Sequence, residues 1–408
     1  MQLNVNALKN KWLDIVSQYE VCLYLDSHHD MQDRYARYEC IATAGVHEKC
    51  EIYNNWQPAF DFVKRHQGKW IFFAFSYEAY SYPLGLPHST YTQPTAVLWT
   101  PQYWATLDKH NHIQSNERTF FEQTVSEPPK SVPVIDIQPV WNKEGYISRF
   151  EKVIHHIKEG DVYELNLCQR FKANVPDLDT RTVFKKIQNL AKMPYSVYWK
   201  YSPYSILSTS PERLLALRGD TLIAQPMKGT QRKNAYHDTE SKILLQNSHK
   251  NRAENIMIVD LMRNDLAKSC ITGTIQTEHL FEVLDYGNLY QMISTVKGTL
   301  LPELSFLDTF YHVFPAGSMT GAPKKRSVQL IQELENAPRG WFSGSIGYIS
   351  PYQEADSNVL IRTLCYNSNT QELSLHTGGA IVYHSDAVQE YEETLLKAER
   401  IRNILLDR

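Results

Sequence analysis

The chain has 408 residues, 42% apolar and 21% charged, the mixture of a soluble globular protein with room for one large domain or two to three ordinary ones. Its 42 basic and 45 acidic residues leave a formal charge of −3, which excludes a global basic field for nucleic acid. Apolar runs such as "WIFFAF" (70–75) are too short to span a bilayer, the first ten residues lack signal-peptide character, and the six cysteines form no C-x-x-C pair, so a reducing, cytoplasmic setting is expected.

Leu8, Trp12, Ile15, Val16 and Tyr19 fall on one stripe of a helix within 4–20. Strands follow at "VCLYLD" (21–26), "YECIATAG" (38–45), "KWIFFAF" (69–75) and "TAVLWT" (95–100). The 25 tyrosines suit a strand-rich chain. Residues 125–140 hold four prolines and read as a linker or extended crossing between an N-terminal portion, 1–124, and the remainder, 141–408. Beyond it, "NKEGYISRFEKVIHHIKEGD" predicts a helix ending near Gly160, and "VYELNLCQRFKA" a strand. Several strands with tight turns occupy 196–230, and a long helix covers roughly 238–264. A helix with Pro323 at its start runs to about 335. Four further strands, in "GWFSGSIGYISP", "NVLIRTLCYN", "ELSLHTGG" and "AIVYHS", precede a last helix over 386–406. Strands mixed with long helices, without βαβ alternation, predict an α+β fold.

Several side chains sit where burial would be costly. Glu254 shares a helical face with Met257, Ile258 and Leu261; it is either a helix-edge glutamate reaching solvent or a metal ligand or acid in a cleft. On the last helix, Asp386 with Gln389 signals a capping box, and Val388, Tyr391, Leu395, Ala398, Ile401 and Leu405 form the expected core stripe. Glu390, Glu393 and Lys397 line another face, as a solvated ladder or as oxygen donors for Mg²⁺ beside a lysine. "FPAGSMTGAPKK" (314–325) lacks the Gly-Lys-Ser/Thr of a phosphate loop, and it and "HTGGAIV" (376–382) offer backbone N–H groups to an anion or simply turn. Lys228, in "AQPMKGTQRK" (224–233), lies among mostly uncharged neighbours just before a glycine.

In order along 140–408, "GDVYELNLCQRF", "STSPERLL", "PMKGT", "NRAENIMIVDLMRNDL", "STVKG", "FPAGSMTGAPK", "SGSIGYIS", "IRTL" and "EYEETLLKA" resemble the chorismate-utilising enzymes. That family includes anthranilate, aminodeoxychorismate, isochorismate and salicylate synthases. The resemblance implies two large, mostly antiparallel sheets packed as a sandwich with outer helices. It implies that Glu254, Glu390 and Glu393 hold Mg²⁺, which grips the ring carboxylate of chorismate. Glu212 becomes the acid/base near C4, with a carboxyl raised by burial. Arg362 and Tyr348 would hold the enolpyruvyl carboxylate, with Thr230, Gly378, Gly379 and Lys397 as further substrate contacts.

Lysine at 228 resembles the members that make 4-amino-4-deoxychorismate for p-aminobenzoate and folate; anthranilate-forming members carry alanine there. Its amine, kept neutral by enclosure, is expected to attack C2 of chorismate. No glutaminase module or fused lyase is visible, so ammonia is expected from a separate glutamine amidotransferase subunit. The alternatives are anthranilate or isochorismate synthase, or a non-catalytic chorismate- or tryptophan-binding homologue. "LDS" (25–27) falls where the family often has a tryptophan-pocket serine. Five positions depart from the family pattern: Gln291 replaces a histidine, Gln225 and Met227 stand in Gln225-Pro226-Met227 where the family has Arg-Pro-Ile, and Ala316 and Ala380 replace glycines.

Overall fold

A helix forms at Val5–Val16, where the N-terminal stripe predicts one, with Asn4 Oδ1 capping Ala7 N at 3.1 Å. The computed structural model describes residues 4–28, 33–87, 93–125, 132–233, 238–287 and 289–407. The strands among them join in a single antiparallel hydrogen-bonded network. Two long strands, Tyr38–Ile52 and Ala96–Asp108, pair along their whole length, with a register shift between Val46 and Glu48. A bulge of this kind bends a strand and lets it pass from one sheet to another.

On one side of the bend, pairing runs from Tyr38–Ile52 through Val21–Asp26, Tyr195–Tyr201, Tyr204–Ser210, Thr363–Asn367 and Glu372–Ile381 to Glu164–Asn174. On the other it runs from Ala96–Asp108 through Ile71–Phe75, Ser345–Ile349, Ala355–Asn358, Arg213–Arg218 and Thr221–Ala224 to Leu289–Thr299, which also pairs with Met227–Arg232 and Gln276–Asp285. Leu23, Ile41, Val197, Trp199 and Ile206 from the first sheet meet Phe72, Val97, Trp99, Ile346 and Tyr348 from the second in one buried core. The outer face of the first sheet packs on Trp12, Val183, Phe184, Ala398 and Ile401 from helices, and that of the second on Phe62, Val259, Met262, Phe306 and Phe310. The fold is therefore the expected α+β sandwich with outer helices.

Some boundaries differ from the sequence reading. The single helix over 238–264 is two, Asp238–Asn247 and His249–Ala267, because the Ser248 hydroxyl accepts from Asn251 N and starts a new helix. Gln276–Asp285 and Leu289–Thr299 form a strand pair that was not predicted. Of the stretch 125–140, residues 126–131 lie outside the described residues. Ile135 and Ile137 are buried, Ile135 N donates to Leu405 O at 2.9 Å, and Gln138–Pro139 pairs with Glu164–Asn174.

The last helix spans Ala387–Leu405, with Asp386 capping Val388 N and Gln389 N. Ala398, Ile401 and Leu405 are buried as predicted. In the first two turns the buried side chains are Glu390 and Thr394, while Val388 is exposed and Tyr391 and Leu395 are half-buried. Tyr391 and Leu395 still pack against core clusters, so the predicted stripe fails only at Val388, and the helix turns Glu390 and Thr394 inward beside it.

Candidate active site

Lys228 stands at a break in a ladder. The strand Met227–Arg232 pairs with Leu289–Thr299, and the register shifts between Met227 and Thr230. Gly229 has φ 89°, and a Cβ there would lie 2.9 Å from the Asn251 side chain of the helix His249–Ala267. Glycine is required on both counts. The bulge directs Lys228 inward, where its side chain is 11% exposed and Nζ donates to Glu164 Oε1 at 2.9 Å. Burial alone would lower its pKa, but the carboxylates of Glu164, Glu254 and Glu212 outweigh that and hold it above the ordinary lysine value. This corrects the expectation of a neutral amine. The neighbourhood looks weakly polar in sequence, yet the fold surrounds the lysine with acids from distant segments.

Glu212 immediately precedes the strand Arg213–Arg218 and is buried. Ser318 Oγ, from the "FPAGS" loop, donates to its Oε1 at 2.8 Å. Burial pushes the carboxyl up to about 7, the direction an acid working near neutrality needs. Close packing holds that loop in place, since a Cβ on Gly317 would lie 2.7 Å from Leu261 of the helix that carries Glu254.

Glu254 is pushed up by burial, and Glu164 and Glu390 add repulsion against the pull of Lys228 and Lys250. Its Oε1 is buried and has no hydrogen-bond partner among the described residues. Glu390, 4% exposed, is also pushed up by burial, with Glu393 adding repulsion; Ser385 Oγ donates to its Oε1 at 2.8 Å. Glu393 and Lys397 form an i,i+4 pair at 2.7 Å, 43% and 47% exposed, whereas Glu390 is turned inward. Among the described residues, no three His, Cys, Asp or Glu side chains converge closely enough to hold a metal ion.

Gly378 and Gly379 lie on Glu372–Ile381, opposite Cys168 and Leu167. Pairing with Thr363–Asn367 stops at Leu375, so the glycines have one edge without a strand partner. Gly378 O accepts from Lys397 Nζ at 2.7 Å. A Cβ on Gly378 would meet Leu167 O at 2.4 Å, whereas one on Gly379 would meet Glu390 Oε2 at 2.8 Å. Gly378→Ala is therefore expected to cost about 1–3 kcal/mol in a urea melt, because backbone must move. Gly379→Ala should leave the midpoint nearly unchanged, since only a carboxylate end has to shift.

Thr230 Oγ1, the Gln291 amide and Arg362 form a chain. With its oxygen turned toward the arginine, Gln291 accepts from Arg362 Nη2 at 2.9 Å, and its nitrogen lies 3.0 Å from Thr230 Oγ1 and 3.3 Å from Gly229 O. Arg362 has φ 51°, a left-handed conformation, and its Nη1 lies 3.4 Å from Met193 Sδ. Burial lowers its pKa to about 10, with Arg400 adding to the effect.

Tyr348 does not join this group. It lies in the inter-sheet core, its ring 5.7 Å from Trp70 and 5.8 Å from Tyr38. Side chains alternate along Ser345–Ile349, and Tyr348 is on the face opposite Gly347, which abuts Phe73 in the other core. Ser27 donates to Tyr38 O at 2.9 Å and borders a cavity of about 60 Å³ with Arg213, Asp356 and Tyr348. A larger cavity, about 540 Å³, is lined by Tyr195, Gln225, Tyr286 and Arg400 among others.

Sequence reasoning missed Glu164 as a site residue, although it stands within a quoted motif. The available signal was a carboxylate inside an otherwise uncharged run, "VYELNLC". In the structure it is 1% exposed on a central strand, with Oε2 unpartnered.

Residues 20–403 match the family described as chorismate binding enzyme. The chain belongs to that family. It is 39% identical over 263 residues to a probable chloroplastic aminodeoxychorismate synthase of Oryza sativa subsp. japonica, covering 63% of this chain and 29% of that one. It is 33% identical over 302 residues to aminodeoxychorismate synthase component 1 of Escherichia coli K12, covering 74% of this chain and 66% of that one. The chain thus spans under a third of the rice relative's length and about two thirds of the bacterial one's. Among solved structures it resembles anthranilate synthase component I from Streptococcus pneumoniae TIGR4, with a TM-score of 0.77, 24% identity and coverage of 91% and 93%. That likeness establishes this chorismate-binding family member's fold. Among its described residues no helix is long and apolar enough to cross a membrane.

Proposed function

We propose that this chain aminates chorismate to 4-amino-4-deoxychorismate, using ammonia from a separate glutamine amidotransferase subunit. The observation that carries the reading is the enclosed Lys228 amine, hydrogen-bonded to Glu164 within a group of acids. Relatives called aminodeoxychorismate synthase support it. The six free cysteines support a reducing compartment such as the cytoplasm.

In this reading Lys228 Nζ bonds to C2 of chorismate. Both ring double bonds shift, the C4–O bond breaks, and the protonated Glu212 carboxyl supplies the proton with which the hydroxyl leaves as water. Ammonia then bonds to C4, both double bonds shift back, and the C2–N bond breaks to return the lysine. Lys228 begins as an ammonium ion, and Glu164, at 2.9 Å, is the carboxylate in position to take its proton. Arg362 offers a planar fork to the enolpyruvyl carboxylate. Thr230 lies beside the Gln291 amide that contacts Arg362, and Gly379 lies beside Glu390, while Lys397 already serves Glu393 and Gly378 O. Tyr348 has no part in this scheme.

Glu254, Glu390 and Glu393 do not by themselves converge as a three-residue cluster, so they would hold Mg²⁺ only together with water and substrate oxygens; the ion would neutralise the ring carboxylate and ease electron flow into the ring. The unpartnered Glu254 Oε1 and the upward shifts of Glu254 and Glu390 support this donor set, since a divalent cation relieves both costs. Glu254→Gln is expected to raise the Mg²⁺ concentration for half-maximal product formation at least tenfold while leaving the thermal midpoint unchanged or higher. An unaltered Mg²⁺ titration would contradict the ligand role. The covalent step is tested by protein mass in chorismate and Mg²⁺ without ammonia. The peptide containing Lys228 should gain chorismate less one water; a gain on another peptide, or none, would remove the lysine from this role.

A further inference from the structure

Arg362 presents an unusual electrostatic situation. It is half-buried, and among the described residues no carboxylate pairs with it. Its charged neighbour is a second cation, Arg400. Buried guanidinium groups are ordinarily paired, because desolvating an uncompensated charge is costly. This molecule follows that rule elsewhere: the buried Arg213 binds Asp33 and Asp356, and the buried Arg339 binds Glu335. At Arg362 the acceptor is instead a neutral amide, that of Gln291, which is fully buried and reaches Nη2 at 2.9 Å. The same amide is within hydrogen-bond distance of Thr230 Oγ1 and Gly229 O, on the strand that carries Lys228.

We infer that Gln291 is a positioning residue that orients Arg362 without neutralising it, keeping the guanidinium charge available for a substrate carboxylate and fixing its distance from the lysine strand. The inference rests on the proposed chorismate reading and adds to it the reason an amide stands at 291. A carboxylate there would pair with Arg362 permanently and displace the substrate anion. An apolar side chain would leave the guanidinium unbraced.

The test is steady-state kinetics with chorismate, ammonium and Mg²⁺. Arg362 would hold the carboxylate equally in ground and transition states, so losing its charge should raise KM and spare kcat. Gln291→Glu is expected to raise the chorismate KM at least tenfold with kcat within threefold of wild type. In an Arg362→Met background the same substitution should change KM less than twofold, a coupling that a general packing defect would not show. If Gln291→Glu does not fold, Gln291→Met takes its place, with KM rising three- to tenfold, kcat held, and the effect again lost in Arg362→Met. An unchanged KM in the folded variant, or equal effects in both backgrounds, would overturn the inference while wild-type turnover upheld the chorismate reading. Wild-type protein that neither binds nor turns over chorismate would remove both.

Discussion

Lys228→Ala is expected to abolish formation of 4-amino-4-deoxychorismate and of the chorismate adduct, with any residual amination moving toward anthranilate through direct attack of ammonia at C2. The lysine also carries a structural burden, because Glu164 is 1% exposed and depends on it for charge compensation. Breaking a buried ion pair from one side costs about 3–5 kcal/mol. The single variant should therefore melt earlier as well as lose activity. Adding Glu164→Gln removes the stranded carboxylate and should restore much of the melting temperature without restoring the product. If stability and activity returned together in the double variant, Lys228 would be a structural cation and not the nucleophile.

Glu212→Gln should lower kcat by about 10²–10⁴, the usual contribution of a positioned acid. An amide can still accept the Ser318 hydrogen bond but has no carboxyl proton to give. Since burial raises this carboxyl to about 7, the wild-type rate should decline as pH rises through that value, and the variant should lack this limb. The same shift affects stability. A carboxyl that ionises near 4.5 when unfolded but near 7 when folded favours the folded state fully only below the lower value, and that advantage is lost as pH rises through the higher one. The shift corresponds to about 3 kcal/mol. Glu212→Gln should accordingly exceed wild type in stability at pH 8 and lose that advantage toward pH 4, as urea melts at the two pH values would show. A wild-type rate that stayed level from pH 6 to 9 would count against Glu212 as the acid.

The α+β class was legible in strand runs and helical stripes, which repeat at periods of two and 3.6, while the sandwich was implied by the family resemblance. The catalytic-region motifs likewise located Lys228, Glu212 and the three glutamates. What could not be read was which distant groups meet. The neighbourhood of Lys228 looked weakly polar because its acids come from a strand over 164–174 and helices far along the chain. Glu390 was located, but its burial was not legible, because spacing gives the first turn of that helix to Val388 where the fold turns Glu390 and Thr394 inward. Tyr348 was misplaced by one step of strand alternation, which is invisible unless the buried face is known. Gln291 looked like a lost histidine; its contacts with Thr230 and Arg362 exist only once two strands and a loop are assembled.

The most direct measurement is the structure of the product made by the wild-type chain from chorismate, Mg²⁺ and isotopically labelled ammonium, read by mass and NMR. Labelled nitrogen bonded to C4 of a ring that keeps its enolpyruvyl group is the result expected from an enclosed lysine working beside Glu164 and Glu212. Nitrogen at C2 with loss of pyruvate, or chorismate recovered unchanged under conditions where the protein is folded, would contradict it.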